Sequence, residues 1–523
     1  MATKAEPVRI GPWPGGINTL SDQSAVADEE AVDITNFDID LDGSLKSRPA
    51  ITSSAAAGGR YGNRILGVFT LLSGTAYVIF TSTDNAGANP STNYYNINTG
   101  AFGTVVSTFA ATSMVQYNNK AWIVAPPGSA ANGGSWDGTT FATVTTMPKG
   151  CTCCVYKERM FVGTGDQNTT NPSIVYWGQP GDPSADWTAV NIGGSFNVNN
   201  GDGQGIRKIY SYAGSIVIFK TRSTYVFAYE SDPFKGQTQV VQSTIGVDGL
   251  DCMTENESIL YTLSNGDLYA INNWVWEQLN VRTPFTFYDT HVGNWTRHCC
   301  LSSVGNRVIC RYYDSHYIFN TKTRTLTKWL STNTPDQFFK SPLQDTTTGI
   351  DTYIAGNYMK YTIGANANKL YLMKDAITAT DTETFTCSLR TKVYSFNVPY
   401  SFKRMMWWGI DLLAKSNIAV TAIPVAYGLP VKWSQLAPRT WAQVAPGTWG
   451  APLDISIAVS DSSDIKNTSN IRMFVKYIKS LRFRQLQFTV TSDVDGSTAT
   501  GPLQLYSVTA YVINKQLVPA KIN

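Results

Sequence analysis

The sequence is poor in charge. Only 15% of its 523 residues are Asp, Glu, Lys or Arg, well below the usual quarter. With 41 basic and 38 acidic residues the net charge is +3, and no basic cluster supplies a nucleic-acid footprint. There is no run of 18 apolar residues, so no helical membrane span is expected. The opening Met1-Ala2-Thr3-Lys4-Ala5-Glu6-Pro7 lacks an apolar signal core. Histidine is nearly absent: His291, His298 and His316 are the only three, and none sits in a glycine-elbow context of the kind a nucleophilic hydrolase needs. Helix signals are equally scarce. The one short candidate is Ser24–Val32, where Ser24 stands as a cap ahead of Asp28, Glu29 and Glu30.

What fills the chain instead is Thr, Ser, Asn, Gly and aromatics, with 27 Tyr, 22 Phe and 14 Trp. That is the composition of strands joined by many turns. Met114–Val124 reads as an apolar run, a polar turn and a second apolar run. The same phrase returns at Leu71–Phe80, Val155–Val162, Ile209–Phe219, Asn256–Tyr261 and Val304–Cys310. The spacing of roughly 40 to 55 residues is that of propeller blades with variable loops. Seven units are marked, near 61–107, 111–147, 150–190, 205–243, 250–282, 297–331 and 335–375. Several end in a second hairpin, which gives four strands per unit. Six or eight blades stay open, because the third and last units are the least regular.

The flanks differ from the repeats. Residues 1–60 read as an arm and a hairpin: Pro12-Trp13-Pro14-Gly15-Gly16 is too broken for helix or central strand. Ile34–Asp40 and Ser44–Arg48 pair across an Asp42-Gly43 turn, and Ser53–Gly59 reads as a linker. From 376 to 523 long strand patterns appear, including Phe385–Phe396 and an apolar Met405–Leu413 expected to be buried on both faces. In Leu481–Val490 the alternation slips, which predicts a bulge near Arg484-Gln485. The fold class expected is all-β: a β-propeller at 61–375, an extended N-terminal arm, and a C-terminal antiparallel β-sandwich at 376–523. Trp433, Trp441 and Trp449, in a loop without a core of its own, are candidates for docking against another domain or stacking on a glycan.

Asp38-Ile39-Asp40-Leu41-Asp42-Gly43 has the opening of a calcium loop. Its twelfth position is Pro49 where a bidentate Glu is needed, so a hairpin with solvent-facing Asp residues is the simpler reading. Cys151-Thr152-Cys153-Cys154 and His298-Cys299-Cys300 lack zinc-knuckle spacing and read as core positions of equivalent strands. Gly201–Gly205 is not followed by the Lys-Ser/Thr of a phosphate loop. No metal, cofactor or catalytic residue is assigned. A propeller glycosidase, whose paired carboxylates meet only in space, is the enzymatic alternative.

Arg9–Thr19, with its Gly15-Gly16-Ile17-Asn18, resembles the opening of minor tail proteins of long-tailed bacteriophages. Asn36-Phe37, Asp42-Gly43-Ser44-Leu45 and Arg48-Pro49 continue that likeness, as do Leu389–Phe396, Phe402-Lys403-Arg404 and Trp407. Propeller-like tail nozzle proteins begin in a similar way. The resemblance implies a structural virion protein at the tail tip or baseplate, assembled in the host cytoplasm. Its partners would be other tail proteins and further copies of itself in a three- or six-fold ring. It implies no nucleic-acid partner. Interface residues on this reading are Trp13, Pro14, Gly15, Gly16 and Arg48, with Trp13 buried in a neighbouring subunit. The alternative on the same particle is binding to a host-surface glycan.

Overall fold

The computed structural model describes residues 6–56, 61–83, 90–165, 168, 170–189, 193–285, 299–312, 315–330, 337–342, 351–356, 369–374, 383–396, 403–413, 420–427, 472–477, 481–483, 485–495 and 503–514. Among them there is no α-helix; two 3-10 turns interrupt an all-β chain. Among the described residues no helix is long and apolar enough to cross a membrane. Two units divide the chain, each assembled from separate stretches: 51–316 with 332–375, and 1–50 with 317–331 and 376–523.

The first of these is the β-propeller. Six four-stranded antiparallel sheets lie in it: 61–106, 113–143, 152–197, 206–242, 253–278, and a sixth made of Phe338–Lys340, Thr352–Ala355, Lys369–Lys374 and Ile51–Ala56. The hairpin Cys299–Val304/Arg307–Tyr312 stands between the fifth and the sixth in chain order. The leading strands of these sheets touch in sequence, from Tyr61–Thr70 through Ser113–Tyr117 and Thr152–Tyr156 to Ile206–Tyr212. Tyr210 Oη on the fourth donates to Glu255 on Met253–Asn256 at 2.7 Å; Met253–Asn256 touches Cys299–Val304, which touches Phe338–Lys340, and the last touches Tyr61–Thr70 again. Each sheet has two apolar faces, and only the next sheet can cover them, so a ring is the geometry that leaves none exposed. Trp122, Val124, Cys153, Met160 and Val162 form one such buried seam, and Cys154, Phe161, Ile209, Ile216 and Ile218 the next.

Ile51–Ala56 corrects the expectation of a linker at Ser53–Gly59. It is the outermost strand of the sheet that ends the repeats, in antiparallel register with Lys369–Lys374. Small residues are weak strand formers on their own, and here an existing sheet edge supplies the pairing along one side.

The second unit is the β-sandwich. One sheet runs Arg472–Tyr477, Lys403–Leu413, Gln504–Asn514, Leu45–Ser47, Phe37–Ile39. Its Gln504–Asn514 strand also takes Glu6–Ile10 along the same side. The other runs Thr325–Trp329, Glu30–Thr35, Thr384–Thr391, Gln485–Asp495, Val420–Tyr427, with Gly16–Ile17 added in parallel to Glu30–Thr35. A single core joins the faces, with Ile10, Trp13, Phe37 and Leu45 from the start of the chain against Trp408, Ile410, Phe488 and Val508 from its end.

Three further expectations change. The helix at Ser24–Val32 is absent. Asp22 takes the backbone N–H and hydroxyl of Ser24 in a local turn, and Glu30–Thr35 is a strand. This is the competition between side chain and helix that Asp and Ser set up outside caps. Lys403–Leu413 is not buried on both faces: Met405, Trp408, Ile410 and Leu412 are buried while Trp407, Asp411 and Leu413 are partly exposed. The phase slip after Phe483 is a change of sheet. Leu481–Phe483 pairs with Lys403–Leu413, and Gln485–Asp495 pairs with Thr384–Thr391 and Val420–Tyr427. A strand that crosses from one layer to the other must reverse which side faces the core, and the sequence slip records that reversal.

Candidate functional site

Among the residues assigned to assembly contacts, Trp13 is fully buried inside its own sandwich, not displayed to a neighbour. Its indole Nε1 has no hydrogen-bond partner among the described residues, so the ring is held by packing alone. Gly15 and Gly16 are there for closeness. A Cβ on Gly15 would meet Glu30 Cγ at 2.6 Å, and one on Gly16 would meet the Leu326 carbonyl oxygen at 2.9 Å. Gly16 also has φ 73°, which a side chain would strain.

Arg48 is buried as well, and all five of its N–H groups are used. Nε donates to Asn36 Oδ1 at 2.9 Å, and the two terminal nitrogens donate to both oxygens of Glu383, each at 2.9 Å. The remaining two reach the carbonyls of Pro49 at 2.7 Å and Leu330 at 3.2 Å. The guanidinium lies 3.9 Å from the Phe385 ring centroid. Asn36, at φ 60°, completes the clasp by donating to the Thr386 carbonyl and accepting from the Leu330 N–H. The planar fork of Arg fits a bidentate carboxylate in a way Lys does not. Trp13, Gly15, Gly16 and Arg48 are therefore corrected from interface to framework: they hold three distant stretches of chain in one core. Pro14 alone of the five is exposed.

Asp38, Asp40 and Asp42 do not converge. Asp38 accepts from Trp329 Nε1 at 3.1 Å, Asp40 from the Leu41 N–H at 2.8 Å, and Asp42 from the Ser44 N–H at 2.9 Å. They belong to the hairpin Phe37–Ile39/Leu45–Ser47. All eight cysteines are free and buried. Burial pushes the Cys153 thiol up to about 11, and it lifts Cys154, Cys252 and Cys310 further still. Trp433, Trp441, Trp449 and His298 lie outside the described residues.

In the propeller, sequence reasoning found the repeated turns but missed what sits beside them. The turns are Asn118-Asn119, Lys157-Glu158, Ala213-Gly214 and Glu257-Ser258, all with positive φ at both residues. That is the hairpin geometry matched to strand twist. The residue just before each turn reaches the next one. Tyr117 Oη donates to the Glu158 carbonyl at 3.0 Å, Tyr156 Oη to Gly214, Tyr212 Oη to Ser258 at 3.0 Å, and Asn256 Nδ2 to Gly305 at 2.9 Å. Asn119 Oδ1 accepts from the Leu72 N–H at 2.8 Å at one end of the series. The Gly305 N–H donates to Tyr353 Oη at 3.0 Å at the other. A chain of side-chain bonds thus runs around one rim. The readable signal was a Tyr immediately before three of the four turns.

A second feature crosses the ring. Arg64, on the first leading strand, makes a bidentate pair with Asp251, which leads into the fifth; both bonds are 2.7 Å. The first and fifth leading strands are not neighbours, so the pair spans the interior. Arg64 also donates to the Thr112 carbonyl at 3.0 Å. Burial raises the Asp251 carboxyl, but the Arg64 charge and hydrogen bond, with Lys208, outweigh it and leave the group below its ordinary value. Nearby Asp248 goes the other way: burial dominates and raises it.

No family model and no curated protein matches the chain. Solved structures do. The extracellular domain of a one-component system from B. thetaiotaomicron matches with TM-score 0.41 and 12% identity over 64% of this chain, which spans 46% of that one. The WD40 domain of Neurospora crassa Pan2 matches at TM-score 0.36 and 6% identity, covering 63% of this chain and 95% of that one. The AfRom2 CNH domain matches at TM-score 0.36 and 9% identity, over 62% and 98%.

Proposed function

We propose that this chain is a structural protein of a bacteriophage tail, placed at the tail tip or baseplate and working by assembly with other tail proteins. One observation carries the reading. Two of the short motifs that carry the resemblance, Arg9–Thr19 and Asn36–Pro49, are separated in sequence. In space they are one object. The Trp13 N–H donates to the Gly43 carbonyl at 2.9 Å, and a Cβ on Gly43 would meet Pro12 at 2.9 Å and Pro14 at 3.1 Å. Asn36 and Arg48 close the base of the same hairpin. Short motifs that matched by accident would have no reason to be mutually required, whereas these are complementary parts of one clasp. The low charge and Tyr/Asn/Thr-rich composition support large permanent contacts. On this reading further copies form a three- or six-fold ring, and the propeller, which we take to have seven blades from its seven leading strands, is a rigid platform.

The test is localisation. Antibodies raised against the purified chain should decorate one end of the tails of particles from cells carrying its gene. Virions free of the chain by labelling and by mass spectrometry would end the proposal.

A further inference from the structure

Because Trp13 is internal, the contact surface must be what Trp13 holds in place. The hairpin tip Asp40-Leu41-Asp42-Gly43 is unusually fixed. The Gly43 N–H donates to the Asp40 carbonyl and the Asp40 N–H to the Ser44 carbonyl, both at 2.9 Å. Asp40 and Asp42 side chains each bind a backbone N–H within the turn, at 2.8 and 2.9 Å. From outside, Pro12 and Pro14 lie against Gly43, whose φ of 77° favours glycine. Trp13 pins the two prolines by its own hydrogen bond to Gly43 and by its place in the core. On this locked tip Leu41 is 74% exposed, and Pro12 and Pro14 are exposed beside it. Asp40 and Asp42, both exposed, flank the leucine.

An apolar centre with a charged rim is the anatomy of a binding hot spot, and rigidity in the free state removes much of the ordering cost of binding. We propose that Pro12, Pro14 and Leu41, rimmed by Asp40 and Asp42, form a docking knob. Its partner is another protein presenting an apolar pocket edged by Lys or Arg, the side chains that complement the two carboxylates. The inference deepens the tail reading, and rests on it only for the identity of the assembly in which the partner sits.

The test uses the full chain expressed from its native genome, with benzoylphenylalanine at position 41 and, separately, at position 72, where Leu72 is 90% exposed on the propeller. Irradiation should join position 41 to one other polypeptide, at a peptide containing Lys or Arg. Asp40→Lys should lower that yield by about tenfold, the scale of one lost hot-spot contact, and Leu41→Asp should lower copies of the chain per particle similarly. Position 72 should give neither effect. The thermal melt of Leu41→Asp should match the parent, since that side chain is exposed; Asp40→Lys also loses the bond to the Leu41 N–H, so Asp40→Asn, which keeps an acceptor there without the charge, should melt like the parent and still lower the yield. Cross-linking to the chain's own copies, no cross-link, or a yield indifferent to Asp40→Lys would each overturn the proposal. If virions lack the chain but the charge-sensitive cross-link persists, the tail reading falls and the knob stands.

Discussion

Replacing Trp13 by alanine separates a framework residue from an interface residue. The side chain is completely buried among Ile10, Phe37, Trp408 and other core groups. Its Nε1 has no hydrogen-bond partner among the described residues. The loss is therefore packing and transfer without a polar term, and large aromatic-to-alanine changes in cores cost about 3–5 kcal/mol. That is a large share of the ~5–15 kcal/mol that typically separates a folded domain from its unfolded chain. With two units the whole protein need not unfold in one step, so a probe local to the sandwich assigns the loss more directly than a global melting curve. Hydrogen exchange by mass spectrometry reads the strand Gln504–Asn514, whose partner Glu6–Ile10 lies just before Trp13. Protection there should fall by two or more orders of magnitude in Trp13→Ala, at about 1.4 kcal/mol for each factor of ten. Protection in Ile216–Phe219, in the other unit, should not change. Trp13→Phe should lose less. Unaltered exchange in Gln504–Asn514 together with failed assembly would refute the reasoning and return Trp13 to the surface.

Tyr117→Phe, Tyr156→Phe and Tyr212→Phe each delete one bond of the rim chain and should each destabilise the propeller by about 0.5–1.5 kcal/mol in urea unfolding; the corresponding change at Tyr176, which is not in the chain, should do less. For Arg64–Asp251 the sign is set by a depressed carboxyl: its contribution is present above the ordinary Asp value of 3.8 and is lost as pH falls through the lower folded value. Asp251→Asn should therefore lower stability at pH 7 and flatten that part of the acid limb, as followed by melts from pH 2 to 7. The cysteines should be silent to a thiol reagent at pH 8 in the native protein, and all eight should react in guanidinium, because burial shields them all and suppresses the thiolates of Cys153, Cys154, Cys252 and Cys310. Fast native labelling of Cys153 would contradict the seam packing that encloses it.

The propeller was legible because a turn followed by an apolar run is a local signal, and the sheets at 113–143 and 206–242 begin and end within a few residues of the marked units. What escaped notice is non-local. Ile51–Ala56 carries the composition of a linker, and its strand character comes from Lys369–Lys374, more than 300 residues away. The sandwich was expected from 376 onward, yet its core needs Ile10 and Trp13, whose sequence context shows prolines and glycines and no strand period, and Phe37, from a hairpin read as part of a separate arm. Arg48 could be quoted as part of a motif, but its ion pair with Glu383 lies 335 positions away, and no spacing rule connects them. Periodicity reports a residue's near neighbours; it is silent on partners brought in by topology.

The same distances bear on why the motif has the form it has. The sandwich cannot be completed until Gln504–Asn514 exists to receive both Glu6–Ile10 and Leu45–Ser47. The last propeller sheet likewise waits for Lys369–Lys374 before Ile51–Ala56 can pair. Pairings of such long range form late, because loop closure is paid in entropy before the contact returns anything. Until then the N-terminal stretch must avoid offering a flat apolar edge to other chains. Pro12, Pro14, Gly15 and Gly16 meet that requirement, since a segment so broken makes a poor free strand. Those residues also give the close approaches to Glu30, Leu326 and Gly43 once the core arrives. One short sequence is thus unattractive while waiting and closely fitted when placed. That dual demand accounts for its Gly/Pro-rich composition alongside the docking role proposed for Pro12 and Pro14.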